Sequence, residues 1–197
     1  MKYDRTIRIL HFGIVASILL QIFGEKLVGF PEPGHPRHVI ETLFIGIHEG
    51  IGSISLVLVC VYLIVVLDEV AGRERLFPWM NAAGRNSLLL EIRRDIPGWL
   101  HGKLLPPGES HFISGAIHGT GITLALFLGL TGSMLFLGIG PHGDMTPDIK
   151  IIWEYHSVMA TMMLIFVAGH AGMALVHELK GHKILREMFK LGKNHGD

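Results

Sequence analysis

The chain alternates between four long apolar blocks, at about 7–28, 39–67, 112–138 and 151–177, and polar segments of uneven length. Each block suffices for the ~20 helical residues that cross a hydrocarbon core roughly 30 Å thick. Apolar residues run continuously through the blocks rather than at the spacing of a one-faced surface helix, so the pattern predicts four membrane-spanning α-helices. The connection from Glu25 to about Arg37 carries Gly29, Pro31, Pro33, Gly34 and Pro36 and reads as a loop outside the bilayer. Asp68 to Ser110 is the longest polar segment. Within it, Asn86 to Leu100 mixes apolar and basic residues and predicts a short helix lying at the membrane interface. Gly138 to Asp148 reads as a tight loop, and Glu178 to Asp197 as a charged tail.

Composition agrees with a membrane protein. Of 197 residues, 49% are hydrophobic and 17% charged, and mean hydropathy is +0.45. The 17 Lys and Arg balance the 17 Asp and Glu, so net charge points to neither nucleic acid nor an acidic partner. Their placement is more informative. Fourteen of the basic residues fall on the N-terminus, the middle segment and the tail, leaving Lys26, Arg37 and Lys150 on the other side. By the positive-inside rule both termini and the middle segment are cytoplasmic. The first block follows Lys2, Arg5 and Arg8 like a signal peptide, yet no small-x-small cleavage site follows it, and a retained helix is expected. The expected fold is therefore all-α: a single-domain (1–197), up-and-down four-helix membrane bundle with a short interfacial helix between helices two and three.

Histidines carry the chemistry. His156 and His170 lie in the fourth block, and at roughly 100° per residue their fourteen-residue separation returns the second to within about 40° of the first. At about 1.5 Å of rise per residue they are roughly 21 Å apart, one towards each leaflet. The up-and-down order gives the other histidines a depth. His11 is near the cytoplasmic end of helix one, and His48, among Gly46, Gly50 and Gly52, is near the outer end of helix two. Two pairs follow, His48 with His156 and His11 with His170. Opposed imidazoles on facing helices suit the axial positions of a haem iron. Zinc or copper fits less well, because each cluster has two imidazoles and few carboxylates or thiolates, whereas structural zinc takes four N or S ligands. A metal transporter and a haem-free anchor with packing histidines remain the other readings. The single Cys60 excludes an internal disulfide, a cysteine-ligated iron–sulfur cluster and a C-x-x-C-H attachment, so any haem is held non-covalently.

The Arg8-x-x-His11 opening, the lone His48 of helix two and the fourteen-residue spacing of His156 and His170 resemble the di-haem, four-helix membrane cytochrome b family. That family includes bacterial cytochrome b561, the b-type cytochrome of nickel–iron hydrogenases and the gamma subunit of respiratory formate dehydrogenase. The resemblance covers nearly the whole chain. It implies two haem b groups, the outer ligated by His48 and His156 and the inner by His11 and His170. It also implies electron transfer between a redox partner and membrane quinone, with the protein in the inner (cytoplasmic) membrane.

His118 departs from the pattern. Its depth is similar to that of His11 and His170, so it is a candidate replacement ligand, a propionate contact or a donor to a quinone oxygen. His177 lies where a polar ring tip reaches the headgroup boundary. Candidate propionate or quinone contacts are Arg8, Arg37, Arg94, His111, Ser114 and His118, with Arg5 and His101 nearby in depth. For each, topology signalling or ordinary interfacial solvation is the plainer role. The sequence has no nucleotide fingerprint, cysteine cluster or sizeable soluble domain for a primary substrate. The expected assembly is therefore a membrane subunit beside a catalytic or electron-transfer subunit. A self-sufficient, homodimeric quinone oxidoreductase acting on a small species such as superoxide is the alternative.

Overall fold

The computed structural model describes residues 5–28, 39–68, 70–104, 111–140 and 143–189. Among them there is no strand. The elements are α1 (Arg5–Val28), α2 (Val39–Leu67), α3 (Val70–Leu76), a 3₁₀ turn (Pro78–Met80), α4 (Ala82–Leu100), α5 (His111–Gly138), α6 (Pro147–Leu179) and α7 (Ile184–Phe189). Four helices are long and apolar enough to cross a membrane: Arg5–Gly24 within α1, and all of α2, α5 and α6. They carry many exposed large apolar side chains, among them Leu20, Ile64, Leu137 and Ile165. Lipid is the solvent in which such surfaces are stable, and the chain is a multi-pass membrane protein.

Polar residues inside the spans satisfy the bilayer's demand for internal hydrogen bonds. Ser133 Oγ donates to the Gly129 carbonyl at 2.8 Å and Ser157 Oγ to the Trp153 carbonyl at 2.9 Å, each one turn back on its own helix.

The chain divides into two compact units. One comprises the described residues of Leu10–Tyr62 and Ile122–Phe166. Val59, Met163, Ile14 and Ala125 are buried there. Close approach depends on missing side chains: a Cβ at Gly129 would lie 2.8 Å from Leu56 Cδ1, and one at Gly13 3.2 Å from Leu58 Cδ1.

The other unit comprises the described residues of Met1–Ile9, Leu63–Gly121 and Val167–Asp197. The polar middle segment is more ordered than its composition suggests. The predicted helix at Asn86 begins at Ala82 instead, because the Asn81 side chain caps it by accepting from Gly84 N at 2.6 Å. Ahead of it stand α3 and the 3₁₀ turn, which the pattern of polar positions did not reveal. The Gly115-x-x-x-Gly119 motif serves this region. A Cβ on Gly115 would strike the Arg75 carbonyl and one on Gly119 the Leu76 carbonyl, so α5 seats the backbone at the end of α3.

The last turn of α6 closes with Gly181 at φ 87°, a left-handed C-terminal position suited to glycine. The tail then forms α7, tied back by Glu178, which accepts from Leu185 N at 3.1 Å and pairs with Arg186 at 3.0 Å. α6 also starts four residues before its apolar block, with Pro147 in the first turn, where a missing N–H costs nothing.

Candidate functional site

His48 and His156 line one cleft, with α1, α2, α5 and α6 all contributing to its walls. The cleft holds about 800 Å³ of unfilled space, part of it open to the surroundings. Its lining is mostly apolar and small where the histidines approach: Gly52, Ala125, Gly129, Gly132 and Ala160. A flat, rigid macrocycle needs such walls, and an imidazole from each of two helices is the donor set for its iron. Carboxylate and thiolate partners for a four-ligand zinc site are sparse, Glu49 being the only such side chain in the lining. The residues fit a bis-histidine haem.

Each histidine has a polar neighbour from another helix, at the backbone of His48 and at the ring of His156. Gln21 Nε2 donates to the backbone carbonyl of His48 at 3.0 Å. Gly52, one turn beyond His48, makes room for that amide, since a Cβ there would sit 2.8 Å from Gln21 Nε2. On the opposite wall the Thr131 hydroxyl donates to the Phe127 carbonyl at 2.8 Å, with the Leu128 carbonyl at 3.3 Å. The same oxygen lies 2.8 Å from Nδ1 of His156. A Cβ at Gly132 would approach His156 Cε1 to 3.3 Å, so this glycine lets the ring lie against α5.

A second cluster forms in the other unit. The rings of His118 and His170 meet edge to face, centroids 5.1 Å apart and planes at 84°. A ring nitrogen of each lies within 4.8 Å of the other. His118 Nδ1 donates to the Ser114 carbonyl at 2.7 Å, which leaves its Nε2 as the lone-pair nitrogen. Sequence reasoning placed His118 at the depth of His170; the structure adds that the two side chains touch.

His11 is half-buried on α1, with Arg8 one turn before it and also half-buried. Arg94 clasps the buried carboxylate of Asp95 through Nε at 2.5 Å and Nη2 at 3.1 Å. His111, the first residue of α5, and Ser114 are exposed. His101 is exposed and donates from Nδ1 to the Pro97 carbonyl at 2.7 Å. Arg37 lies outside the described residues.

Sequence reasoning missed Thr131, Gln21 and Gly132. Gln21 and Thr131 are polar interruptions in apolar spans, which marks them, but their partners lie 27 and 25 residues away and no local spacing identifies those.

Neither a search of curated proteins nor one of solved structures returns a significant match. The sequence model of the prokaryotic cytochrome b561 family matches residues 2–191. With four membrane-capable helices, a small-walled cleft between His48 and His156 and a match over nearly its whole length, the chain belongs to the prokaryotic cytochrome b561 family of membrane b-type cytochromes.

Proposed function

We propose that the chain carries two b-type haems and moves electrons across the inner membrane between a redox partner subunit and the quinone pool. The observation that carries this reading is the cleft shared by His48 and His156, two imidazoles from different helices facing a space walled by glycine and alanine. His48 and His156 ligate one haem, and His11 and His170 the other. The fourteen-residue separation of His156 and His170, roughly 21 Å of helical rise, suits one haem towards each leaflet. When bound, each haem supplies a one-electron ferric/ferrous couple, and the protein supplies ligands, spacing and an apolar surround.

Quinone chemistry belongs at the cytoplasmic ends of the helices, where His111, Ser114, His118 and Arg94 offer donors and proton carriers. Arg8 and Arg37 suit haem propionates. The edge-to-face contact of His118 with His170 supports a role beside the inner haem, as its neighbour or as its second ligand.

Reduced-minus-oxidised spectra with pyridine haemochrome quantification of the purified protein test the reading. Two haems per chain are expected. One should remain in His48→Ala or His156→Ala, and the other in His11→Ala or His170→Ala. If His118→Ala loses the inner haem while His11→Ala keeps it, His118 is the ligand. Well-folded protein without haem would sink the proposal in favour of an anchor or transporter.

A further inference from the structure

Thr131 is buried, at 9% exposure, within the membrane-spanning α5, and its single hydroxyl proton faces three possible acceptors. Proton counting assigns it. The Thr131 oxygen lies 2.8 Å from the Phe127 carbonyl oxygen, a distance that requires a proton between two acceptors. That proton is the hydroxyl's own, so the hydroxyl cannot also donate to His156. The 2.8 Å contact between Thr131 Oγ1 and His156 Nδ1 is then a hydrogen bond donated by the imidazole.

A neutral imidazole protonated at Nδ1 keeps its lone pair on Nε2. Gly132 completes the arrangement by allowing the ring edge to within 3.3 Å of where a Cβ would stand. The Thr131-Gly132 pair therefore fixes which nitrogen can ligate and limits how the ring lies.

We propose that Thr131 is a positioning residue for the outer haem: its hydroxyl holds His156 in the Nδ1-protonated tautomer, favours haem retention and lowers that haem's reduction potential. This rests on the reading of His156 as an axial ligand. Donation from Nδ1–H to an oxygen increases the electron density at Nε2. That oxygen is itself polarised by donating to Phe127, which strengthens the effect. A more basic ligand stabilises ferric iron more than ferrous, and partners behind a metal-bound histidine commonly change affinity 10- to 100-fold.

The test is spectroelectrochemical titration of both haems in the full-length protein, comparing wild type, Thr131→Val, Thr131→Ser and His156→Ala. Val keeps the shape and removes the hydroxyl; Ser keeps the hydroxyl and removes the methyl. Thr131→Val should raise one of the two potentials, on the order of a tenfold change in the ferric/ferrous constant or ~59 mV for one electron. The affected haem should be the one absent from His156→Ala, and Thr131→Ser should titrate like wild type.

Should Val lose that haem outright, the proposal stands if Ser retains it and the second haem is intact in both. Loss in Ser as well makes the role one of packing and overturns it. Unchanged potentials and full haem content in Thr131→Val also overturn it, while leaving His156 as a ligand. Full haem content in His156→Ala instead refutes the ligand assignment itself.

Discussion

Three glycines surround His48, and they are not equivalent. Gly46 and Gly50 have nothing within 4 Å of a Cβ, whereas one at Gly52 would meet the Gln21 amide at 2.8 Å. A glycine in a membrane helix permits close approach of a neighbour, but only where a neighbour is there to approach. The structure restricts close contact to Gly52, where it protects the Gln21 bond to the His48 carbonyl. Gly52→Val should displace Gln21 and leave its amide without that partner, costing about 1–3 kcal/mol and weakening retention of the outer haem. Gly46→Ala, in open space on a helix, should be neutral or stabilising by up to about 1 kcal/mol. Thermal unfolding in detergent, with haem absorbance read in parallel, separates the two.

Between elements, the most consequential joint is that of α4 to α5. Glu91 Oε2 accepts from both Phe112 N and Ile113 N at 2.9 Å, so a carboxylate from α4 satisfies two of the N–H groups left open in the first turn of α5. It also fixes the start of the helix that carries His118 and Thr131. Glu91→Ala should destabilise the protein by about 1.5–3 kcal/mol, as for hydrogen bonds to a charged group. Glu91→Gln, retaining one acceptor oxygen, should recover part of that. Chemical unfolding followed by helical circular dichroism would show whether the order Glu, Gln, Ala holds. None of this was visible in the polar pattern, because Glu91 and α5 are joined by a contact 21 residues apart and not by any period.

For the whole molecule, the charge distribution sets the expected orientation. Fourteen of the 17 basic residues lie on the segments assigned to the cytoplasm. A C-terminal green fluorescent protein fusion should fluoresce, and a C-terminal alkaline phosphatase fusion should be inactive. The opposite result would invert the proposed outer and inner sites. Lipid-facing surface is already plain in the exposed apolar side chains of the four spans, and a chain so exposed needs the bilayer as its solvent.

The number of spans, the all-helical class and the fourteen-residue register of His156 and His170 followed from sequence alone. Apolar length and the 3.6-residue turn are local properties, and a bilayer leaves the backbone little alternative to helix. Where the elements meet was a tertiary matter. That α5 seats the end of α3, that His118 touches His170, and that Thr131 stands behind His156 all depend on side chains from distant segments meeting across packed surfaces. Those contacts have no period in the chain; packing distance and the requirement that each buried polar group find a partner selected them.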